Sequence, residues 1–289
     1  MARPPRLEIA GAVYLISAHC PYGMARRVAS GAGTAFADET DRAEMRSLMA
    51  QALHRFDAQA LAYCLLPDHY HLLLFTRRPN LSQIMRHING VYTQHHQRRH
   101  GTVGPLFQGR FHAVLVDRER FLFDACRYID LNPVRLGLVR SAADWSGSSF
   151  RALAALEPAP AWLDVDGLHT FLLGRPATTL AQHRMAGDRY ARRVAAEPGL
   201  QLWPGRLRQQ IFLGDAEFAE RMRVLAAVPP RRAARSRYAD WLRRAGGIRE
   251  RALWLAHTQG GLTMTALAAE LGLSVSRISR LIAAAEREA

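Results

Sequence analysis

Two short apolar runs separated by Pro67-Asp68 constrain the fold of this chain more than any other feature. Residues 61–66 and 70–75 each have the length and apolar character of a buried β-strand. Proline followed by aspartate is typical of the turn between two such segments. The sequence therefore predicts two consecutive strands, with a histidine on either side of Tyr70 at the start of the second.

Side chains alternate between the two faces of a strand, so His69 and His71 lie on one face while Tyr70 points to the other. Two imidazoles on one face can bind a single metal ion. A basic chain with 12 histidines also places some pairs two residues apart by chance, and imidazole packs or hydrogen-bonds without any metal. The spacing alone leaves a metal site and a structural role both open.

Strands and helices alternate around this pair. Residues 11–17 predict a first strand, and the polar cluster at 38–41 predicts the start of an amphipathic helix. Further along are a predicted helix at 81–99, a strand at 107–117 and a helix at 118–132 that ends at Pro133. This order matches a ferredoxin-like split βαβ fold, an antiparallel sheet with helices on one face. We therefore predict an α+β domain over residues 1–151.

The character of the chain changes after Trp145, where alanine-rich and proline-containing segments mark a boundary. We predict a helical extension at 160–226, an arginine-rich linker around 229–232 and a last domain at 236–289. Helices predicted at 264–271 and 275–286 flank Gly272-Leu273-Ser274, which is typical of a helix-turn-helix. A purely structural helical hairpin would show the same apolar periodicity and is the alternative.

The formal net charge of +14 comes almost entirely from arginine. Because guanidinium groups suit bidentate contact with phosphate oxygens, nucleic acid is the leading partner class. A membrane partner is not expected, since no apolar run approaches the about 20 residues of a spanning helix and the N-terminus lacks the apolar core of a signal peptide. We expect a cytoplasmic, nucleoid-associated protein. Its three widely spaced cysteines predict buried thiols.

Tyr128 and Asn132 are four residues apart, so on a helix they share one face. A phenol and an amide oxygen could then approach a cation bound by His69 and His71. With a phosphodiester substrate, the cation would polarise the phosphate while Tyr128 attacks it and forms a covalent phosphotyrosine. Each residue also has a structural explanation: Tyr128 as a half-buried aromatic, and Asn132 as an ordinary helix stop before proline.

Three separated motifs occur in a fixed order: PDHYHLLL, HGTVGPLFQGRFHAVLVD and RYIDLNPVRLGLV. Together they resemble the IS200/IS605-type tyrosine transposases of the HUH endonuclease superfamily, most closely the REP-associated tyrosine transposases. The resemblance covers residues 7–151, and WLDVDGL at 162–168 and IFLGDAEFAERM at 211–222 are similar to the extension of longer members. It implies a catalytic domain that recognises single-stranded DNA hairpins and cleaves and rejoins strands beside them.

The resemblance also implies residue roles. His69 and His71 match the metal-binding pair, Asn132 the third polar ligand and Tyr128 the nucleophile. Mg²⁺ or Mn²⁺ is the implied cofactor, and a homodimer is a further expectation. Segment 17–27 departs from the family pattern, and Tyr70 brings a hydroxyl to a position that is hydrophobic in the family.

Basic residues outside this set predict contacts to DNA phosphates. They are Arg77 and Arg78 after the third strand, Arg110 and His112 on the fourth, and Arg277 and Arg280 on the last helix, where Ser276 and Ser279 would also face a groove. A solvated basic surface is the alternative for each of them.

Three functions remain open at this point. The first is a metal-dependent transesterase on hairpin-forming repeats. The second is a catalytically silent regulator that binds hairpin and duplex DNA through the helix-turn-helix. The third is a metal-dependent phosphodiesterase that hydrolyses its substrate without a covalent adduct.

Overall fold

The computed structural model describes residues 7–20, 34–227 and 238–288. The chain divides into two compact units, Met1–Ala227 and Val228–Ala289, and each is described by itself. The linker predicted around 229–232 lies outside the described residues, as does most of segment 17–27. Among the described residues, no helix is both long and apolar enough to cross a bilayer. The three cysteines are buried thiols, as predicted.

The first four strands form the antiparallel sheet that the element order predicts. They are β1 (Ala12–His19), β2 (Ala58–Leu66), β3 (His69–Thr76) and β4 (His112–Val116). Their spatial order is β2-β3-β1-β4, and all neighbours are antiparallel. Helix α1 (Glu39–Arg55) connects β1 to β2, and α2 (Leu81–His100) connects β3 to β4. Each connection passes over one intervening strand, which confirms the ferredoxin-like α+β fold.

Local chemistry explains where these helices begin. The side chain of Asp38 accepts a hydrogen bond from the backbone N–H of Asp41, which caps α1 at the predicted cluster. Behind the cap, Met45, Leu48 and Met49 are buried on the inner face of α1. The apolar period that predicted the helix is therefore the period that packs it onto the sheet.

The fourth strand is shorter than the predicted 107–117. Gly104 and Gly109 have φ of 92° and 61°, so the chain turns through this stretch and cannot extend until His112. Leu106 and Phe107 are nonetheless buried in the core. The predicted strand was therefore wrong at its start and right from His112 onward.

The two faces of the sheet carry different helices. On one face Tyr70 is fully buried, and its hydroxyl donates a hydrogen bond of 2.6 Å to Asn89 Oδ1 of α2. On the other face the ring of His71 contacts Tyr128 of α3 (Arg118–Asp130). Helices α1 and α2 thus share a face, as predicted, and α3 covers the face that carries the histidines.

Helix α3 does not end at Pro133 in the predicted manner. It ends at Asp130, and after Leu131 the chain forms the short helix α4 (Asn132–Arg135) with Pro133 in its first turn. Proline is tolerated there because its missing N–H would have no helical partner in any case. Leu131 keeps φ −80° and ψ −6°, so the helical path continues from Tyr128 to Asn132.

The predicted helical extension is only partly helical. A 3₁₀ turn at Ala142–Asp144 and the short helix α5 (Phe150–Leu153) precede it. The extension itself contains α6 (Asp166–Leu173), α7 (Leu180–Ala195), β5 (Leu207–Arg208), β6 (Phe212–Leu213) and α8 (Ala216–Ala227). β6 pairs in parallel with β4, and β5 pairs antiparallel with β6, which gives a six-stranded sheet. Two-residue strands carry no periodic signal, so the sequence could not indicate them.

Chain from the same unit also runs along the outer side of β2. The N–H of Ala60 donates to the carbonyl of Trp162 at 3.2 Å, and the N–H of Leu65 donates to Gly147 at 2.7 Å. Further buried residues of the extension, Tyr190 and Leu202 among them, belong to the same hydrophobic core as β1 to β4.

The second unit contains α9 (Tyr238–Arg244), α10 (Arg249–Thr258), α11 (Met264–Leu271) and α12 (Val275–Glu288). Thr263 caps α11, and Gly272 with φ 65° ends it. Ile278 and Ile282 of α12 are buried in a separate small core with Leu267. The predicted pair of helices around the Gly272 turn is confirmed; α9 was not predicted.

Candidate active site

The register of the sheet lines up histidines from three strands. His19 at the end of β1 lies opposite His69 on β3. Ser17, two residues earlier on β1, lies opposite both His71 on β3 and His112 on β4. Residues directly opposite each other in an antiparallel pair share a face, so all four imidazoles belong to the face covered by α3.

Three of these four histidines, on β1 and β3, lie close together. The ring of His19 stacks on that of His69, with centroids 4.7 Å apart and an interplanar angle of 14°. His71 meets His69 edge-on at 5.2 Å and His19 at 6.4 Å. His19 was missed by sequence reasoning because it lies far upstream and forms no local motif; only the strand register reveals it.

Hydrogen bonding leaves these imidazoles with nitrogen lone pairs. His69 Nδ1 lies 2.7 Å from Asp68 Oδ1, and because a carboxylate only accepts, Nδ1 is the donor and Nε2 keeps its lone pair. His71 Nδ1 is buried and has no hydrogen-bond partner among the described residues. Burial, followed by repulsion from His69 and His19, holds the pKa of His71 well below its ordinary value, so this ring is neutral.

Tyr128 lies against the histidine cluster, half-buried on α3. Its ring meets His71 edge-on with centroids 6.0 Å apart. Trp203, from the extension, donates from Nε1 to the Tyr128 hydroxyl oxygen at 3.0 Å. The guanidinium of Arg135 lies 4.0 Å from the centroid of the Tyr128 ring and donates to the Tyr128 carbonyl at 2.7 Å. Three side chains therefore contact the Tyr128 side chain, those of His71, Trp203 and Arg135.

Sequence reasoning identified neither Trp203 nor Arg135. Arg135 lies within the motif RYIDLNPVR, seven residues after Tyr128, and a helical projection of that motif could have suggested it. Trp203 lies in a segment without regular structure, 75 positions from Tyr128, and no sequence signal indicates its role.

Asp130, two residues after Tyr128, links this part of α3 to neighbouring elements through hydrogen bonds. Its carboxylate accepts hydrogen bonds from Ser149 Oγ at 2.9 Å and from Tyr190 Oη at 2.7 Å, and it is fully buried. Burial raises the pKa of Asp130 to about 7, although the two hydrogen bonds favour the ionised form. Asn132, two residues further on, is also buried, at the start of α4.

The residues predicted to bind DNA are dispersed. Arg77 and Arg78 follow the opposite end of β3, roughly 20 Å from the histidine end at the usual rise per strand residue. Both pair with Asp57, at 3.4 Å and 3.5 Å. His112 begins β4 beside the histidine cluster, and Arg110 is exposed just before it.

Arg277 and Arg280 belong to the second unit. Both are exposed on α12, together with Ser276 and Ser279, while Ile278 faces the core. This is the division of faces that the helix-turn-helix prediction requires, with a polar side available to a groove.

A second group of potential ligands lies elsewhere in the first unit. Asp41, His96 and His100 bring their ligand atoms within 4.8 Å of one another, on the helical side of the sheet that carries Tyr70. None of the three belongs to the predicted site.

Comparison with known proteins adds three findings. The family model described as "Transposase IS200 like" matches residues 32–132. A Haemophilus influenzae protein named as a REP-associated tyrosine transposase is 28% identical over 118 residues, which cover 37% of this chain and 67% of that protein. A structure of a REP-associated tyrosine transposase bound to a REP hairpin aligns with 57% of this chain and 93% of its own, at 20% identity and a TM-score of 0.45.

The matched segment begins after β1 and so does not include His19. It ends at Asn132 and so contains His69, His71 and Tyr128. Over residues 32–132 the similarity of this chain to the IS200-like transposases, with a REP-associated tyrosine transposase among its relatives, is thereby confirmed.

Proposed function

We propose that this chain is a metal-dependent endonuclease and strand transferase that acts on single-stranded DNA at hairpin-forming, REP-type repeats. Cleavage would proceed through a covalent 5′-phosphotyrosine at Tyr128, and reversal of that step would rejoin strands. The observation that carries the proposal is the edge-on contact between the rings of Tyr128 and His71. It brings the phenol of Tyr128 to a cluster of imidazoles in which burial lowers the pKa of His71 and of His19 and so favours their neutral, metal-binding forms.

The residues at this site fit a divalent cation. His69 and His71 would bind it, with the amide oxygen of Asn132 as the third donor and Mg²⁺ or Mn²⁺ as the ion. The buried Nδ1 of His71, unpaired among the described residues, is the kind of atom that a cation would satisfy. His19, stacked on His69, is a further candidate donor from β1. When bound, the ion would polarise the scissile phosphate.

Strand transfer through Tyr128 would need no hydrolytic water. The Tyr128 oxygen forms a bond to phosphorus as the bond from phosphorus to the 3′ oxygen breaks; the phenol loses its proton, and the departing 3′ oxygen gains one. A second 3′ hydroxyl can then attack the phosphotyrosine and release Tyr128. Trp203 donates its N–H to the oxygen that becomes a phenolate in that second step.

The partner class follows from charge and from the relatives. A formal net charge of +14 favours polyanions, and His112 and Arg110 lie at the histidine end of the sheet, where a strand entering the site would pass. The Haemophilus influenzae relative is named for its association with REP sequences, and on that ground we propose that this chain also acts at such repeats. We further propose that α12 contacts duplex DNA, that the protein acts with the nucleoid and that it acts as a homodimer.

The test is adduct formation. The full chain is incubated with single-stranded hairpin oligonucleotides and Mn²⁺, and denaturing gels are examined for a protein band of increased mass. We expect an adduct that requires metal and is absent in Tyr128→Phe. Tyr238→Phe, which removes a phenol in the second unit, should retain it.

Each alternative predicts a different gel. An adduct that persists in Tyr128→Phe would remove Tyr128 from the role of nucleophile. Metal-dependent cleavage without an adduct would indicate the hydrolytic phosphodiesterase. Hairpin binding that is equal with and without metal, with no cleavage, would indicate the silent regulator.

A further inference from the structure

The start of α1 and the end of α2 bring together a buried aspartate and two histidines. Asp41 lies in the first turn of α1, and His96 and His100 lie in the last turns of α2. Asp41 is 3% exposed and His96 is 4% exposed, whereas His100 reaches the surface. Their candidate ligand atoms all lie within 4.8 Å of one another.

His96 is the most informative member of this group. Its Nε2 lies 2.9 Å from the carbonyl oxygen of Thr34, and because a carbonyl only accepts, Nε2 is the protonated nitrogen. Nδ1 therefore carries the lone pair. That atom is buried and has no hydrogen-bond partner within the part of the chain that the structure describes. Metal-binding histidines commonly donate their other N–H to a backbone carbonyl, as His96 does.

The remaining donors are in position. His100 follows His96 by four residues, so both rings lie on one face of α2, with centroids 4.3 Å apart. His100 Nε2 lies 3.0 Å and 3.1 Å from the two carboxylate oxygens of Asp41, so it donates its N–H to that carboxylate here, and a bound cation would take the place of this proton. Two imidazoles and one carboxylate thus lie close enough to share one ion.

Arg99 is the competitor for this carboxylate. Its guanidinium contacts Asp41 and also pairs with Asp38, at 2.9 Å to Oδ1. An ion-pair network of Arg99, Asp41 and His100 would account for the carboxylate without a metal. It leaves the buried lone pair of His96 unexplained, because Arg99 and His100 are not hydrogen-bonded to that atom.

We propose that Asp41, His96 and His100 form a second metal site, which takes a divalent transition metal of the zinc class and connects α1 to α2. Imidazole donors favour Zn²⁺, Co²⁺ and Ni²⁺ over Mg²⁺, and three protein ligands leave one position for water. The site lies on the opposite side of the sheet from His69 and His71, so its occupancy is separable from the proposed catalysis.

The experiment uses Co²⁺ as a spectroscopic probe in the full chain stripped with EDTA. His69→Ala and His71→Ala are introduced together, so that the other histidine cluster does not contribute. We expect one equivalent of Co²⁺ to bind with visible absorption bands, and Zn²⁺ to displace it. Zn²⁺ should also raise the melting temperature of this background protein.

Replacing single ligands completes the test. In the same background, His100→Ala changes an accessible side chain and should remove the Co²⁺ bands and the Zn²⁺-induced shift in melting temperature, as should His96→Gln. His95→Ala, which removes the neighbouring histidine that pairs with Glu44, should retain both. Absence of Co²⁺ binding in the background protein, or binding unchanged in His100→Ala and His96→Gln, would overturn the proposal and leave the ion-pair network as the role of these residues.

Discussion

At the residue scale, the environment of the Tyr128 hydroxyl is set by a side chain from outside the segment that matches the transposase family. Trp203 donates to the phenol oxygen at 3.0 Å, and its ring meets that of Tyr128 at 72°. A donor aimed at this oxygen stabilises negative charge on it more than it stabilises the neutral phenol. If Tyr128 is the nucleophile, as proposed, the extension contributes to its reactivity as well as to the core.

We expect Trp203→Phe, which keeps an aromatic ring and removes the donor, to slow adduct formation and rejoining by roughly five- to tenfold. This corresponds to about 1 kcal/mol for one lost hydrogen bond. Single-turnover kinetics on a hairpin oligonucleotide would measure it. The matched control is Trp254→Phe in the second unit, where the indole N–H has no partner among the described residues. Equal rates for Trp203→Phe and the wild type would show that the contact is only packing.

At the element scale, α7 of the extension is hydrogen-bonded to α3, the helix that carries Tyr128, through one buried carboxylate. Asp130 receives Tyr190 from α7 and Ser149 from the start of α5. Both donors come from outside the ferredoxin-like elements, and because Tyr190 belongs to the extension, the position of α3 depends in part on it. A small displacement of α3 would move Tyr128 relative to His71.

Tyr190→Phe should lower the free energy of unfolding by about 1–3 kcal/mol, because it leaves a buried carboxylate oxygen short of a donor. Urea denaturation of the full chain would measure the change, provided that the unfolding transition of the first unit is monitored. Met185→Ala on the exposed side of the same helix is the control and should stay within about 0.5 kcal/mol of the wild type. An unchanged free energy of unfolding in Tyr190→Phe would mean that water takes over the hydrogen bond of the hydroxyl.

Helix α8 has a carboxylate at its start that makes a pH-dependent contribution. Asp215 accepts a hydrogen bond from the Phe218 N–H at 2.8 Å, which lowers the pKa of Asp215 despite partial burial, and Arg120 adds to the effect. A depressed folded-state pKa stabilises the protein above the ordinary carboxyl pKa of about 4, and the stabilisation is lost as pH falls through the folded value.

We therefore expect the wild type to be more stable than Asp215→Asn near neutral pH and to lose that advantage as the pH falls below about 4. Asparagine can still accept the Phe218 hydrogen bond, so the helix start is retained and only the charge is lost. Thermal melts of both proteins between neutral and acid pH would test this. A stability difference that is constant with pH would contradict the assignment.

At the scale of the whole molecule, the chain contains two compact units with different chemistry. The first unit carries the histidine cluster and Tyr128, whereas the second presents Arg277 and Arg280 on the polar side of α12. The two proposed activities should be separable: strand cleavage would reside in the first unit and duplex binding in the second.

Arg277→Ala combined with Arg280→Ala should weaken binding to duplex DNA and reduce the slope of log affinity against log salt by up to about 2, because each lost phosphate contact removes roughly 0.9. Adduct formation on a single-stranded hairpin should be unchanged. Arg243→Ala on α9, which pairs with Asp240, is the control for charge alone. An unchanged salt slope in the double variant would assign α12 a structural role.

The sequence predicted what local patterns encode and missed what only the folded chain brings together. The β2-β3 pair, both connecting helices and the α11-α12 pair follow from apolar periodicity and turn residues. The stacking of His19 on His69 depends on strand register across a long stretch of chain, and the contact from Trp203 depends on how an irregular segment returns to the core. Neither leaves a periodic or compositional trace.

Both edges of the sheet are covered, which has a consequence for assembly. At one edge β6 and β5 follow β4, and β5, the last strand, is only two residues long. At the other edge the carbonyls of residues 147 and 162 accept hydrogen bonds from N–H groups of β2. Strands of a second molecule therefore find few vacant backbone groups with which to continue the sheet. A homodimer of this chain would have to associate through side chains, and its interface should be sought on the helical surfaces.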